Sequence, residues 1–139
     1  MPEINKDPDV IRLKIPSDPK YVSTVRSMVE DLARKNGFDR TKIEDLKLAI
    51  NEALANVIEH AYSGMKNKVI FLYIIIRPSM LEIIIKDFGK KLDVKALKSR
   101  DLTDFKEDGL GVFLIKNMVD EVIYTSQSVG TELKLVKNK

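Results

Sequence analysis

Residues 69 to 87 read VIFLYIIIRPSMLEIIIKD, two isoleucine-rich runs, 69–77 and 80–87, on either side of Pro78 and Ser79. Isoleucine favours strands because its branched Cβ packs well on a pleated surface. Proline and serine are typical turn residues. The stretch therefore predicts a β-hairpin, and the continuous apolar runs predict strands that are buried on much of both faces.

The chain before the hairpin predicts a strand and a first helix. Residues 10–15 alternate apolar and basic side chains, which indicates a half-exposed strand. Asp18 followed by Pro19 is typical of a helix start, with the aspartate as N-cap. Apolar residues then recur at helical spacing, so the pattern predicts a helix over 19–36.

A second helix is predicted over residues 41–62. Thr41 and Glu44 have the spacing of a capping box, in which each side chain accepts from the other's backbone N–H. The predicted core stripe of this helix consists of Ile43, Leu46, Ile50, Leu54, Val57 and Ala61.

The chain after the hairpin predicts three helical or loop segments. Asp93 is placed to cap a short helix over 94–99, and the polar stretch 99–108 predicts a loop. Residues 112–119 have helical apolar spacing.

Strands over 121–125 and 131–136 are predicted to follow, joined by a turn over 126–130. The order β, α, α, β, β, α, β, β predicts a single α+β domain over residues 1–139, with its core at 10–136.

Composition excludes several classes of protein. The 139 residues are 44% apolar and 32% charged, as in soluble globular proteins, and they suffice for one domain. The absence of cysteine and the single histidine exclude disulfides, thiol chemistry and zinc sites built from several such ligands. The first residues lack the layout of a signal peptide, and no apolar run reaches the roughly 20 residues of a membrane span. A cytoplasmic location is therefore expected.

The basic character of the chain leaves a nucleic-acid-binding domain as an alternative. The net charge is +3, from 24 Lys and Arg against 21 Asp and Glu. Both signs are interspersed, and only 6% of residues are aromatic, so a stacking platform for bases is not indicated.

The second predicted helix carries a polar group on a side away from its core stripe. At 100° per residue, Glu52, Asn56 and His60 fall within an arc of about 80°. This pattern aligns a carboxylate and an amide, although on its own it fits an ordinary solvated helix face better.

Asp87, Phe88 and Gly89 stand where the second strand of the hairpin ends. A carboxylate at this position can accept from an exocyclic amino group, and a glycine lets a flat ring approach the backbone. Adenine satisfies both conditions, and a simple strand-ending turn is the alternative. The tripeptide also occurs in eukaryotic-type protein kinases, but their glycine-rich loop and catalytic loop are missing here.

Gly109 and Gly111 lie at a predicted loop-to-helix junction, within residues 108–116. Free N–H groups at a helix N-terminus bind phosphate, and glycine leaves them unobstructed. The segment is neither a Walker loop nor a Rossmann fingerprint, and glycine pairs also serve as plain hinges.

Four segments in this order resemble motifs of the histidine-kinase-like (GHKL) ATPase superfamily. Residues 51–61, NEALANVIEHA, resemble the N-box, and 87–89 and 109–111 resemble the two glycine boxes. Residues 130–133 resemble the late Gly-Thr pair. Over 10–136 the resemblance is to the bacterial anti-sigma-factor serine/threonine kinases.

The resemblance implies a fold and a function. The expected fold is a two-layer α/β sandwich of the histidine-kinase-like ATPase (Bergerat) type, with a mixed sheet, helices on one face and a lid over residues 90–108. The expected protein binds ATP and Mg²⁺, sequesters an RNA polymerase sigma factor and phosphorylates an anti-anti-sigma antagonist. A homodimer is expected as well.

The resemblance also implies roles for the N-box residues. Glu52 would be the general base for the attacking hydroxyl, and Asn56 would hold Mg²⁺. A carboxamide oxygen is a hard ligand that suits Mg²⁺. His60 matches a common family residue without an assigned role.

The other motifs would bind the nucleotide. Asp87 would accept from the adenine amino group and Gly89 would admit the ring. Gly109 and Gly111 would contact the phosphates, and Thr131 would help to bind adenine.

One position departs from the family pattern. The first glycine box usually has a second glycine where this chain has Lys91. The departure leaves open an alternative function, an ATP-binding or nucleotide-free sigma-binding regulator without kinase activity.

Overall fold

The structure is a computed structural model that describes residues 7–91 and 107–139, with side chains described over 7–91 and 112–139. Its strands are β1 (Asp9–Pro16), β2 (Val69–Ile76), β3 (Met80–Asp87), β4 (Glu121–Ser126) and β5 (Thr131–Asn138). Its helices are α1 (Val22–Lys35), α2 (Arg40–Asn56) and α3 (Glu107–Met118). The predicted order of elements is confirmed. The short helix over 94–99 and most of the predicted loop and lid lie outside the described residues.

The strands form one five-stranded sheet in the order β1-β2-β3-β5-β4. Every neighbouring pair is antiparallel, so the prediction of a mixed sheet is wrong. The physical reason is the position of β5. Strands β3 and β4 run in the same direction, but β5 lies between them and is antiparallel to both.

One face of the sheet is fully buried. Its side chains alternate along the strands and join the helices in one core, namely Ile70, Leu72, Ile74, Leu81, Ile83, Ile85, Leu133 and Leu135. On the opposite face Phe71, Tyr73 and Ile84 are only half-buried. The prediction that both faces of the hairpin are buried is therefore wrong for this second face, because the described helices contribute their core residues to the other one.

The helix starts were only partly predicted. Asp18 is an N-cap as expected, but it opens a short 3-10 turn, Pro19–Tyr21, before α1. The prediction of a capping box at Thr41 is wrong. Asp39 is extended and its carboxylate accepts from the Lys42 N–H at 2.9 Å, so α2 starts at Arg40.

The ends of two helices also differ from prediction. The α-helical part of the second helix ends at Asn56, and a π-helical turn, Val57–Ala61, continues it. Helix α3 begins at Glu107, within the predicted loop, because Gly109 and Gly111 are accommodated in the helix. No helix in the part of the chain that the structure describes has the length and apolar character to cross a bilayer.

Candidate functional site

Helix α2 carries the first two predicted site residues near its C-terminal end. Glu52 and Asn56 are one turn apart and both half-buried. The preceding residue, Asn51, accepts a hydrogen bond from Arg26 Nη1 of α1 at 2.7 Å. This bond ties the start of the N-box segment to the neighbouring helix.

His60 lies within the π-helical turn that follows α2. The Tyr62 N–H donates to the Val57 carbonyl at 3.1 Å, an i to i−5 bond that widens the turn. The α-helical spacing therefore holds for Glu52 and Asn56 but ends before His60. The predicted alignment of His60 with these two residues stays a prediction.

Asp87 ends β3 on the face of the sheet that packs against the helices. The residue is only 4% exposed, and it lies opposite Thr131 of β5. The Gly89 N–H donates to Asp87 Oδ1 at 3.0 Å. Burial raises the pKa of the Asp87 carboxyl above its usual value, and hydrogen bonds from the backbone of Gly89 and Thr131 offset part of that rise.

Gly89 is pressed against the end of the N-box segment. A Cβ at this position would lie 2.2 Å from the Ala61 carbonyl oxygen, so only glycine fits. The next residue, Lys90, donates its N–H to the same carbonyl at 2.8 Å. The glycine thus has a packing role in the structure, and its predicted contact with an adenine ring stays a prediction.

The late Gly-Thr pair lies beside Asp87. Gly130 has φ +77°, and a Cβ there would lie 2.0 Å from the Asp87 carbonyl oxygen. Thr131 is 6% exposed and follows directly. Two glycines therefore allow close backbone approach on either side of one buried carboxylate.

Gly109 and Gly111 are the third and fifth residues of α3. The first four N–H groups of an α-helix have no partner within the helix. Gly109 is among these four positions and Gly111 is one beyond them. The helix start thus agrees with a phosphate-facing role for Gly109 more directly than for Gly111, and both roles stay predictions.

The described residues contain no group of three or more His, Asp or Glu side chains that could hold a metal ion. Lys90 and Lys91 are exposed after the first glycine box.

The structure brings together Asp87, Gly89 and Thr131, and it places the end of the N-box segment against them. Sequence reasoning missed Tyr62, whose buried hydroxyl bonds to Phe88. The sequence contains a weak signal for it, since an aromatic residue directly follows the N-box motif.

Comparisons with known proteins agree with the geometry. The family profile described as Histidine kinase-like ATPase domain matches residues 15–137. Serine-protein kinase RsbW of Bacillus pumilus is 34% identical over 145 residues, covering 96% of this chain and 88% of that protein. The protein of the same name from Bacillus subtilis is 32% identical over 138 residues, covering 93% and 85%. The predicted resemblance is thereby confirmed, and the names of these relatives agree with the predicted serine/threonine kinase activity.

Solved structures show the same fold. The RsbU and RsbW domains of a Mycobacterium tuberculosis protein align with a TM-score of 0.68 at 18% identity, over 93% of this chain and 32% of that one. The histidine kinase domain of a blue-light activated kinase from Erythrobacter litoralis aligns with a TM-score of 0.54 at 17% identity, over 97% and 65%. The predicted two-layer fold is confirmed.

Proposed function

The chain belongs to the histidine kinase-like ATPase family, and on that premise we propose that it is an ATP-dependent serine/threonine protein kinase acting as an anti-sigma factor. Its relatives of similar length are named serine-protein kinases. The proposal assigns to this chain a nucleotide, a protein substrate and a sequestered partner.

One observation carries the proposal most directly. The loop after Asp87 is held against the end of the N-box segment by the bond from Lys90 N–H to the Ala61 carbonyl. This contact supports the proposal that the predicted base-binding carboxylate and the predicted catalytic helix belong to one site. If the helix face were only solvated and the turn at the end of the strand were unrelated to it, we would not expect the two segments to be in contact.

The adenine would bind at the end of β3. Asp87 is buried and ends its strand beside Thr131, which supports its role as acceptor for the exocyclic amino group. A base that donates to this carboxylate adds to the backbone hydrogen bonds that already stabilise the buried charge. Gly109 and Gly111 would lie at the phosphates, at the start of α3.

Asn56 would hold Mg²⁺ together with phosphate oxygens and water. Its carboxamide is half-buried at the last α-helical residue before the π-helical turn. Bound Mg²⁺ neutralises charge on the phosphates and so favours their transfer.

Glu52 would act as general base. The serine hydroxyl oxygen of the protein substrate attacks the γ-phosphorus, and its proton passes to the Glu52 carboxylate. The bond from the γ-phosphorus to the bridging oxygen breaks and ADP leaves. In this scheme the half-buried position of the glutamate, one turn before Asn56, keeps base and metal ligand on one helix face.

The protein substrate would be an anti-anti-sigma protein, and the sequestered partner an RNA polymerase sigma factor. Phosphorylation adds nearly two negative charges to the antagonist and weakens its hold on the kinase. The kinase is then free to bind the sigma factor. Because RNA polymerase works in the cytoplasm, the proposed location of this partner exchange is the cytoplasm.

We also propose that the protein is a homodimer. The sheet face turned away from the described helices carries Ile123 of β4, which is 46% exposed, and half-buried Phe71 of β2 and Ile84 of β3 lie on the same face. Sedimentation equilibrium tests this directly, and a monomer at tens of micromolar would contradict it.

The proposed function is tested by incubating the chain with Mg-ATP and the purified anti-anti-sigma protein of the source organism. Mass spectrometry is expected to find one phosphate on a serine or threonine of that protein, and none when ATP is omitted. Binding of ATP and of a sigma factor without any transfer would instead favour the alternative, a regulator without kinase activity, for which Lys91 is the motivation.

A further inference from the structure

Tyr62 is a buried residue that the roles above leave unused. Its side chain is 3% exposed, and its hydroxyl donates to the Val69 carbonyl at 2.5 Å. The same hydroxyl accepts from the Phe88 N–H at 2.8 Å. One phenol thus joins the start of β2 to the residue that follows Asp87.

The backbone and ring of Tyr62 connect it to the rest of the site. Its N–H closes the π-helical turn by donating to Val57. Its Cδ1 lies 2.8 Å from where a Cβ of Gly89 would be, so the ring packs closely on this glycine. The residue therefore touches both the segment that follows Asn56 and the loop that follows the predicted adenine carboxylate.

These contacts restrict the direction of the Asp87 side chain. The carboxylate accepts from the Gly89 N–H, and the orientation of that N–H depends on the path of the chain through Phe88. The Phe88 N–H is fixed by the phenol. Burial raises the pKa of the Tyr62 hydroxyl above its usual value, the hydrogen bond from the Phe88 backbone offsets part of the rise, and the Asp87 carboxylate adds to it. The hydroxyl therefore stays protonated and keeps its donor role.

We propose that Tyr62 is a positioning residue that orients Asp87 toward the base and so sets the selectivity of the site for adenine. The inference rests on the proposed function. Tyr62 acts through Phe88 and Gly89, without contact to the nucleotide, and it couples the base site to the N-box helix.

The test is the substitution Tyr62→Phe. It keeps the ring on Gly89 and removes only the hydroxyl with its two hydrogen bonds. The ratio of ATP to inosine triphosphate affinity, measured by calorimetry with Mg²⁺, is expected to fall by about tenfold, as for loss of a buried hydrogen-bond partner. Affinity for inorganic tripolyphosphate should stay unchanged, because it has no base.

The matched control is Tyr73→Phe, the same chemical change on the half-buried outer face of β2. This variant is expected to keep the wild-type ratio. If Tyr62→Phe unfolds at lower denaturant but keeps the wild-type ratio, Tyr62 is a structural residue only and the inference is overturned.

Two further outcomes separate this inference from the proposed function. A wild type that binds no ATP contradicts the proposed function itself. A wild type that binds ATP and inosine triphosphate equally removes Asp87 from base recognition, and the inference fails with it.

Hydrogen exchange of the wild type provides a test without any variant. The Phe88 amide should be protected in the absence of nucleotide, because the phenol accepts from it. Exchange as fast as at the exposed Lys66 would show that this bond does not persist, and Tyr62 could not then act on Asp87 through Phe88.

Discussion

Gly130 lies directly against Asp87, with its missing Cβ only 2.0 Å from the Asp87 carbonyl oxygen. The turn between β4 and β5 thus determines how the end of β3 sits, and with it the position of the buried carboxylate. The Gly-Thr pair resembles a family motif, and the structure supplies a physical reason for its glycine.

Gly130→Ala should therefore lower the free energy of unfolding more than the same substitution at a glycine with a similar backbone conformation and open space around its Cβ position. Gly64 has φ +78° and no atom within 4 Å of a built Cβ. Gly64→Ala should cost only the left-handed strain, about 1–2 kcal/mol of unfolding free energy. Gly130→Ala should cost a further ~1–3 kcal/mol, because Asp87 must move. Urea unfolding at pH 7 measures both, and equal costs would contradict the close approach.

Because Asp87 is buried, we expect its ionised carboxylate to lower the stability of the folded protein. Because folding raises the pKa of this carboxyl, the folded protein binds the proton more tightly than the unfolded chain. The ionised carboxylate thus costs stability above its folded pKa, and the cost disappears as the pH falls below the ordinary aspartate value of about 3.9. Asp87→Asn should therefore unfold at higher urea than wild type at pH 7, with the gain shrinking at acid pH.

The matched control for this measurement is Asp9→Asn, which makes the same change at an exposed position in β1. It should leave the urea midpoint within error of wild type. A loss of stability in Asp87→Asn at pH 7 would show that the hydrogen bonds from Gly89 and Thr131 outweigh the cost of burial.

The same substitution should reduce base selectivity. With its second acceptor oxygen replaced by an amide NH₂, Asp87→Asn should lose affinity for ATP and keep its affinity for tripolyphosphate. Calorimetry with both ligands measures the difference. Equal binding of ATP and GTP by the wild type would remove Asp87 from the adenine role.

Asn56→Ala should weaken binding of Mg-ATP. Loss of an outer-shell partner alone lowers metal affinity about 10–100-fold, so loss of a ligand should cost at least about tenfold. When a chelator removes Mg²⁺, Asn56→Ala and the wild type should bind ATP with the same affinity. The control is Asn117→Ala on the exposed side of α3. Unchanged Mg-ATP affinity in Asn56→Ala would place the metal elsewhere.

Much of the fold follows from local patterns. The isoleucine-rich runs around Pro78 and Ser79 fix the hairpin, because strand propensity and turn chemistry agree there. The capping signal at Thr41 failed because Asp39, two residues earlier, offers a competing carboxylate. Both are good N-caps, and local sequence does not decide between them.

The site was less predictable than the fold. Asp87 and Gly89 stand out as a carboxylate and a glycine at a strand end. The π-helical turn after Asn56 has no local sequence signal, and Tyr62, whose N–H closes it, bonds through its hydroxyl to residues further along the chain. The contact of Gly89 with Ala61 joins residues far apart in sequence, and only the tertiary fold reveals it.

The most direct test of the account is the rate of transfer of labelled γ-phosphate from ATP to the anti-anti-sigma protein, with ATP affinity measured on the same samples. Glu52→Ala should lower the rate by about 10²- to 10⁴-fold, the usual contribution of a general base, and leave ATP affinity unchanged or slightly stronger. Glu59→Gln, an exposed carboxylate on the adjoining π-helical turn, should transfer at the wild-type rate. Transfer at the wild-type rate by Glu52→Ala, or no transfer by the wild type to any such partner, would contradict the account.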